Sequence, residues 1–576
     1  TLSGYRLNMN KHSHSHFHWR IGKRKKQVLN YCMAGLLLAS GTAEAAPVGG
    51  EVVSGAGSIS QAGAVTDIHQ SSQRLQLNWR GFSTAAGESV NFYQPGRDAV
   101  AINRVTGGVP SYLAGALNAN GQVFILNDAG VTFAKGAQVN VGALVASTAK
   151  NLEVEGDRFH FSDTGNASVT NRGDIRVSDG GFAVLVAPHV QNEGYIQAHM
   201  GQVELASAEA FTLDLRGDHL ITYTVTSSDA AKLAVENTGT IAAKSGVVHL
   251  SAVAASELVN RVVNLSGVVD VDSFGAGHNA GEVRVTSSGD IDNTAKITAN
   301  GGVNGKGGTV ITYADGTNRF NSVATIAVKG GDISGDGGFV EISGNHFTYA
   351  GQVDASAPNG KIGTLLIDPA DIIIADGAGI NETDGVGTDT YYEQNLESLA
   401  VNLVLNATNN ITFQNLADDT LPLGASQFIL HAGNGIFFED LNDSIIPSSN
   451  STRLLFTAKA GGIHIGNLIL ENGGGSISLT ATDNGDIRTG NLTVTGTSLT
   501  NLPVTSSIFL ASERSITIDG SITAHSTQRS QGNLGGVTQV SLTTDQGNIT
   551  VNGDINIDTD IQSLLASEAL LTYLSG

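Results

Sequence analysis

The residues best suited to chemistry are carboxylates that alternate along short apolar segments. Asp270 and Asp272 form one such group, and Asp554, Asp558 and Asp560 form another near the end of the chain. Alternate residues of a strand point to the same side, so each group could project together, as acid–base cleavage of polysaccharides requires. Both groups lie beside turn residues and lack a clear arginine or lysine partner. We interpret them as solvated faces and expect no enzymatic activity.

Two further groups suggest metal binding, and we interpret neither as a metal site. His12, His14, His16 and His18 alternate, but they lie in an N-terminal segment that we expect to be removed. Residues 330–338 read Gly-Gly-Asp-Ile-Ser-Gly-Asp-Gly-Gly, which is similar to calcium-binding glycine–aspartate repeats. Such repeats need several consecutive copies so that adjacent turns share carboxylates, and the sequence has one imperfect copy. We therefore predict no metal and no cofactor.

An integrin-recognition tripeptide occurs at Arg172, Gly173 and Asp174, and again at residues 216–218. The first copy occupies the turn of a repeated pattern, where glycine followed by aspartate is a favourable corner. We interpret it as a structural turn, with cell attachment as the weaker alternative.

The elements that position these residues are short alternating strands, nearly all closed by glycine, asparagine or aspartate. A pattern V-x-N-x-G-x-I is centred on Asn171, Asn192 and Asn237, which are 21 and 45 residues apart. This spacing predicts a unit of about 21 to 22 residues with one copy degenerate or skipped. A second pattern, glycine followed by an alternating strand, lies between copies of the first, as at Gly201 and Gly246.

A fixed period of this size predicts a solenoid, in which a unit buries its apolar face only when the next unit stacks on it. Strands that stack one turn apart are parallel, and such crossovers are right-handed in nearly all proteins. The expected fold is therefore all-β, a right-handed parallel β-helix. We expect asparagines to form ladders at equivalent turns, and glycines to occupy corners with positive φ. Residues 560–571 are expected to form either a short helix or a strand.

The composition agrees with a β-rich protein that has many tight turns. Glycine supplies 72 of 576 residues without a Gly-X-Y period, and only 15% of residues are charged, which argues against collagen and against disorder. Beyond residue 45 the chain has 24 basic against 52 acidic residues, so nucleic acid is not an expected partner. The single cysteine, Cys32, precedes this part of the chain, and we expect no disulfide.

The N-terminal segment has the order of a secretory signal peptide. The basic run Lys23–Lys26 precedes the apolar run Met33–Ala39, and Ala43 and Ala45 provide small residues for cleavage after Ala45. Residues 1–8 are expected to precede the initiator methionine. The apolar run is too short to span a membrane, and we predict no transmembrane segment.

A dense series of segments near the N-terminus resembles the secretion domain of the filamentous haemagglutinin family of two-partner secretion exoproteins. The segments are Ile68–Ser71, Leu77–Phe82, Gly87–Phe92, Ile102–Gly108, Asn118–Phe124 and Gly136–Thr148. We therefore expect upstream residues and a signal peptide over residues 1–45, a two-partner secretion domain of the same β-helical fold over 46–290, as the resemblance implies, and a β-helical rod over 291–576. Because no closing cap is evident at the C-terminus, we expect the rod to be truncated there. The resemblance also implies, as a partner, an outer-membrane β-barrel transporter with periplasmic recognition domains.

Secretion domains of this family have two asparagine motifs, commonly N-P-N-G. The corresponding tetrads here contain Asn118, Asn120 and Gly121, and then Asn127 and Gly130, without the proline. These five residues are the secretion-motif candidates. Such tetrads make tight turns through side-chain-to-backbone hydrogen bonds, so a purely structural turn and a contact to the transporter both remain open.

The resemblance implies a secreted or surface-displayed adhesin or haemagglutinin whose receptor would be a host-cell protein or glycan. Haemolysins, haem-acquisition proteins and contact-dependent toxins share this export domain, and they are the alternatives within the class. A β-helical polysaccharide-degrading enzyme is the alternative outside it.

Overall fold

The structure, a computed structural model, describes residues 46–215, 221–224, 234–252, 263–377, 389–397, 399, 401–447, 452–471, 473–498, 505–528, 537–561 and 568–575. The predicted signal peptide, with Ala43 and Ala45, and the second Arg-Gly-Asp tripeptide at 216–218 lie outside these residues. The described chain winds through successive coils, and each coil contributes short strands to three columns.

The first column contains the longest strands, which pair in parallel from coil to coil. They are Arg74–Trp79, Val100–Val105, Gln122–Leu126, Ala143–Ser147, Phe182–Ala187, Gln202–Ser207, Val247–Ala252, Glu282–Ser287, the first half of Thr309–Phe320, the first half of Phe339–Tyr349, Thr364–Asp368, Asn402–Ala407, Gln427–Ala432, Thr452–Ala458, Gly475–Ala481, Thr505–Ser512, Val537–Thr544 and Glu568–Ser575.

The second column follows the first after a corner in each coil. Its strands are Ser111–Leu113, Val131–Phe133, Ser168–Asn171, His189–Asn192, Ala234–Asn237, Val263–Leu265, Ile291–Asn293, the second halves of Thr309–Phe320 and Phe339–Tyr349, Thr390–Tyr392, Ile372–Ala375, Asn410–Phe413, Gly435–Phe438, Gly462–Ile465, Ile487–Thr489, Ile516–Ile518 and Ile549–Val551. Thr390–Tyr392 pairs with Ile372–Ala375 although it follows that strand in sequence.

The third column completes each coil. Its strands are Val65–Gln70, Ser89–Tyr93, Ala116–Ala119, Gln138–Val141, Asp174–Val177, Tyr195–Gln197, Thr240–Ala242, Val268–Asp270, Lys296–Thr298, Thr325–Ala327, Gln352–Asp354, Thr420–Leu421, Ser444–Ile445, Asn467–Leu470, Leu492–Ser498, Ile522–Gln528 and Ile555–Ile561. The predicted all-β parallel β-helix is confirmed. The stacking is continuous across residue 290, and the predicted domain boundary there stays a prediction.

The core lies inside the three columns, where apolar side chains stack on their equivalents one coil away. Val203, Val248, Val283, Val310 and Val340 are paired in sequence through the first column, and each is fully buried. Burying one such side chain stabilises by roughly 1.5–3 kcal/mol. A single coil would leave these faces in water, so each coil is stabilised by its neighbours.

The predicted asparagine ladder is present and buried. Asn171 donates from Nδ2 to the Oδ1 of Asn192 over 2.8 Å, and Asn192 donates to the Oδ1 of Asn237 over the same distance. Leu265 occupies the next position in this register. The Nδ2 of Asn237 therefore has no hydrogen-bond partner.

The 45-residue interval between Asn192 and Asn237 does not contain a skipped coil, so that prediction was wrong. The two residues are direct neighbours in adjacent coils. The intervening chain instead makes an excursion that joins a separate four-stranded antiparallel sheet, formed by Asn151–Glu155, Arg158–Ser162, Ala210–Asp214 and Ile221–Thr224. A second apolar cluster, which includes Phe124, Phe159 and Phe211, fills the space between this sheet and the first column.

The prediction that glycines occupy corners with positive φ is confirmed at several turns, but four glycines that precede first-column strands do not have positive φ. They are needed because the coils approach closely. At Gly142 a Cβ atom would lie 2.7 Å from the carbonyl oxygen of Gly121, and equivalent contacts, all inside 3.0 Å, occur at Gly181, Gly201 and Gly246. Positive φ occurs at other turn glycines, such as Gly130.

The two ends of the described chain differ. At the N-terminal end, Glu51–Ser54 and Gly57–Ala62 pair antiparallel with Arg74–Trp79 and Val65–Gln70, which covers the edge of the first coil. Near the C-terminus, where either a short helix or a strand was expected over residues 560–571, strands occupy Ile555–Ile561 and Glu568–Ser575, and residues 562–567 lie outside the described ones. The helix Glu393–Glu397 is short, and no described helix is long and apolar enough to cross a membrane.

Candidate functional site

Asn118 belongs to a polar ladder on the outer face of the third column. Its Nδ2 donates to the Oδ1 of Asn91 over 2.9 Å, and Asn91 donates in turn to the Oδ1 of Asp67 over 2.9 Å. Asn140 extends the ladder, with its Nδ2 at 3.5 Å from the Oδ1 of Asn118. Asn91 and Asn118 are half-buried and Asn140 is exposed. The ladder therefore presents amide groups of three consecutive coils to solvent.

Asn120 and Gly121 form the corner that follows this strand. The side chain of Asn120 binds the backbone of Gln94 in the preceding coil, accepting from its N–H and donating to its carbonyl, each over 2.8 Å. The backbone N–H of Gly121 donates to the Oε1 of Gln94 over 3.0 Å. A Cβ atom at Gly121 would lie within 2.8 Å of two carbonyl oxygens of that coil. Both residues hold adjacent coils together.

Asn127 and Gly130 form a buried corner rather than a surface. Asn127 is 1% exposed, and its Oδ1 accepts from the N–H of Ala129 over 3.0 Å. Its Nδ2 donates to the carbonyl of Val109 and to the Oγ of Ser111, each over 2.9 Å. Gly130 has a φ of 115°, which side chains rarely adopt. In the folded chain this second tetrad has no side-chain amide available for a partner.

An exposed aromatic pair lies beside the ladder. The ring of Tyr93, which is 50% exposed, stacks on His69 with centroids 4.7 Å apart and planes 13° apart. Tyr93 lines a shallow depression of about 500 Å³ together with Asn91, Asn118 and Asn140. We call the outward side chains of Asp67, His69, Asn91, Tyr93, Asn118 and Asn140 the asparagine surface. It combines amide groups with an aromatic face, which suits recognition of a peptide or a protein domain.

The Arg-Gly-Asp tripeptide at 172–174 is built into the coil stack. Arg172 is paired with Glu193 through two hydrogen bonds of 2.8 and 3.1 Å, and these raise the pKa of the guanidinium group. Asp174 binds Arg176 over 2.9 Å. The backbone N–H of Asp174 donates to a carbonyl of the preceding coil over 2.9 Å. The three residues are thus part of the stack rather than a loop tip, and their role in attachment stays a prediction.

Two of the aspartates considered for catalysis, Asp270 and Asp558, form ion-pair or turn contacts in the structure. Asp270 lies 3.5 Å from Lys244, a basic partner that the sequence did not reveal, and it accepts from the N–H of Asp272 over 3.0 Å. Asp558 lies 3.7 Å from His525. In the glycine–aspartate segment the backbone N–H of Lys361 donates to Asp336 and lowers the pKa of that carboxyl group.

One acidic cluster was missed at the sequence level. Asp419, Asp440 and Asp443 place one carboxylate oxygen each within 4.8 Å of one another, and among the described residues this is the group that meets the geometry of a metal site. Asp419 and Asp443 occupy equivalent positions of adjacent coils, immediately before the paired strands Thr420–Leu421 and Ser444–Ile445. Their separation of 24 residues was the available signal, and it has meaning only once the coil length is known.

Comparison with known proteins agrees with this architecture. Residues 43–293 match the TPS secretion domain family, where TPS denotes two-partner secretion. The solved secretion domain of HMW1 from Haemophilus influenzae superposes with a TM-score of 0.50 at 22% identity, covering 68% of this chain and all of that one. This likeness supports the β-helical fold.

Two curated relatives share part of the sequence. A Heme/hemopexin-binding protein of Haemophilus influenzae strain KW20 / Rd is 32% identical over 290 residues, which covers 44% of this chain and 31% of the relative. Another Heme/hemopexin-binding protein of Haemophilus influenzae is 44% identical over 86 residues, which covers 15% of this chain and 9% of the relative. The chain thus spans less than a third of the length of the curated relatives it matches.

Proposed function

We propose that the chain is an exoprotein of two-partner secretion, because residues 43–293 match the TPS secretion domain family. It crosses the outer membrane through a dedicated β-barrel transporter with periplasmic recognition domains, and it is then released or held at the cell surface. The observation that carries this proposal is the family match over the N-terminal coils.

The proposal includes removal of a signal peptide after Ala45, which would make Ala46 the mature N-terminus. The backbone nitrogen of Ala46 lies 2.8 Å from the Oε2 of Glu88, and the same oxygen accepts from the N–H of Ala85 over 2.7 Å. After cleavage this nitrogen would be a charged amine, so the contact would become an ion pair. N-terminal sequencing of exported protein should give Ala46 as the first residue, and any later start would remove this contact.

The stacked architecture supports export of an unfolded chain that folds outside the cell. Each coil buries its apolar side chains only against the next, so coils can dock one after another as they emerge. The antiparallel strands Glu51–Ser54 and Gly57–Ala62 cover the first coil and protect its edge. The sequence beyond Cys32 has no cysteine, so folding needs no disulfide.

We assign transporter recognition to the asparagine surface, which requires that the first coils stack before recognition while the rest of the chain is still unfolded. The test compares Asn118→Ala with Asn434→Ala, an exposed residue whose Nδ2 donates to Asn410 over 2.8 Å in a similar contact outside the matched residues. Export should fall in Asn118→Ala and not in Asn434→Ala, while protease resistance of the refolded full chain stays equal. Equal export of the two variants would refute recognition at this surface.

For the exported rod we propose adhesion to a host-cell protein or glycan, without catalysis. The names of the two relatives favour haem acquisition as a second candidate, through binding of haem or hemopexin. Purified full-length protein should be assayed for attachment to host cells and immobilised glycans, for the absorbance change on haem titration, and for capture of hemopexin. Saturable haem or hemopexin binding without cell attachment would replace the adhesin proposal, and turnover of a polysaccharide would overturn the non-catalytic one.

A further inference from the structure

The cluster of Asp419, Asp440 and Asp443 lies at the corner where the second column passes into the third. Asp419 and Asp443 come from adjacent coils whose strands pair with Thr420 opposite Ser444. The backbone links the same two coils, because the N–H of Ser444 donates to the carbonyl of Asp419 over 2.9 Å. The register of the β-helix therefore stacks the carboxylates, and Asp440 joins them from the turn that precedes Asp443.

The buried member of the cluster lacks a hydrogen-bond partner on one oxygen. Asp443 is fully buried, and its Oδ2 accepts from the backbone N–H of Leu416 over 3.2 Å. Its Oδ1 is buried and has no donor. Buried carboxylate oxygens are normally satisfied, since a buried charge without a partner costs several kcal/mol. An oxygen left without a donor beside two other carboxylates is the arrangement that a cation would complete.

The surroundings of the cluster are negative. Asp418 adjoins Asp419, and within the described ranges no lysine, arginine or histidine forms an ion pair with any of these four aspartates. Burial is the largest cause that raises the pKa of Asp443, and the nearby Asp440, Asp419 and Asp418 raise it further. A bound cation would supply the positive charge that these carboxylates lack among the described residues.

We propose that Asp419, Asp440 and Asp443 bind a divalent cation of the hard, oxygen-preferring class, with Ca²⁺ as the expected ion. The three carboxylate oxygens lie within 4.8 Å of one another, so one ion with Ca–O bonds of about 2.4 Å could contact all three. Ca²⁺ accepts irregular oxygen sites completed by water, whereas Mg²⁺ demands nearly octahedral geometry, which is why Ca²⁺ is the expected ion.

The cluster is open to solvent on one side and packed against the next coil on the other. Asp419 is exposed and Asp440 is half-buried, so water can reach the cluster and complete the coordination. On the next coil Gly466 occupies the equivalent corner, where a Cβ atom would clash with the carbonyl oxygen of Asp443. The cation would thus join two coils at a corner that lacks a basic residue, and it would stabilise their stacking in calcium-containing extracellular fluid.

The test uses the purified full-length chain stripped of metal with a chelator. Calcium titration by calorimetry should show binding with a Kd on the order of 10⁻⁴–10⁻³ M, the range of extracellular calcium modules, together with a rise in the thermal unfolding midpoint. Asp419→Asn should weaken this binding at least tenfold. Asp483→Asn is the matched control, because Asp483 is an exposed aspartate in another turn, and it should leave calcium binding unchanged.

Asp443→Asn supplies a second readout, the thermal unfolding temperature, which should respond differently in chelator and in calcium. In chelator this variant should unfold at a higher temperature than the unsubstituted chain, because the buried charge is removed. In millimolar calcium it should lose the calcium-dependent rise. The proposal is wrong if the folded unsubstituted chain binds no calcium, or if both aspartate variants bind it as well as Asp483→Asn does.

Discussion

Replacing Gly201 by alanine tests the close approach of coils on which the fold depends. A Cβ atom at Gly201 would lie inside 3.0 Å of the carbonyl oxygen of Gly181, a separation that real Cβ atoms essentially never show. The obstacle is backbone rather than a movable side chain. The same carbonyl accepts from the N–H of Gln202 over 3.0 Å, so the coil cannot shift without weakening its ladder.

The expected loss of stability is the sum of two costs, overpacking at the new methyl group and weakening of the hydrogen bonds between coils. Overpacking costs typically 1–3 kcal/mol, and each weakened ladder hydrogen bond costs about 0.5–1.5 kcal/mol. With the one ladder hydrogen bond from Gln202 weakened, we expect Gly201→Ala to lower the free energy of unfolding of the local coils by about 1.5–4.5 kcal/mol. Gly277→Ala is the control, because nothing lies within 4 Å of a Cβ atom there and its φ is not in the left-handed region. That change should be neutral or stabilise by about 0.4–1 kcal/mol.

Hydrogen exchange of the full chain, read by peptide mass, is the suitable assay, because a solenoid opens locally rather than as one unit. Peptides that cover 182–187 and 202–207 should exchange faster in Gly201→Ala, while those that cover 452–481 should not change. Equal protection of these coils in Gly201→Ala and Gly277→Ala would refute the argument from close approach.

Three other predictions follow from buried or charged contacts. Asn192→Ala should cost about 2–3 kcal/mol in chemical denaturation, because Asn237 loses the donor to its buried Oδ1, whereas Asn140→Ala at the exposed ladder should cost less than about 0.5 kcal/mol. Burial raises the pKa of Glu393 to about 7, so the stability that this group contributes should be fully present below pH 4.5 and should be lost as pH rises through 7. Glu393→Gln should remove that pH dependence in denaturation experiments. Glu88→Gln should lower the stability of the mature chain by about 1 kcal/mol or less, and its effect should be smaller in a chain that keeps its leader, where Ala46 offers a neutral N–H instead of a charged amine.

The columnar fold was predictable because its signal repeats. Asn171 and Asn192 mark the same corner of adjacent coils, and 21 residues separate them. The alternation of apolar residues in the strands is equally local. Both features can be recognised from the two-residue period of a strand and the repeat length of a coil, which are visible in the sequence.

Three features were mistaken or missed because they depend on contacts between coils. The excursion between Asn192 and Asn237 has the length of a coil, but it pairs with a hairpin elsewhere. Glycine is required before these first-column strands because a carbonyl oxygen of the preceding coil leaves no room for a Cβ atom. The rules for turns in a sequence take no account of such a contact between coils. Asp419 and Asp443 are neighbours only because of the register in which their two coils pair. Their spacing of 24 residues therefore did not indicate a contact before the coil boundaries were known.

The sequence predicted a turn at each candidate export motif, but it did not show which turn is exposed and which is buried. Asn118 lies on the exposed ladder as a recognition residue would, whereas Asn127 is a buried corner. A tetrad motif predicts a turn in both places, and only burial distinguishes a turn that faces a partner from one that closes the core.

The most direct test of the central claim is export of the full chain in cells with and without its outer-membrane transporter. We predict that with the transporter the protein appears in the medium or becomes sensitive to surface labelling, and that its N-terminus is Ala46. Without the transporter the chain should remain inside the cell envelope. Equal release in both cells would contradict the proposal that this stacked-strand chain is a two-partner secretion exoprotein.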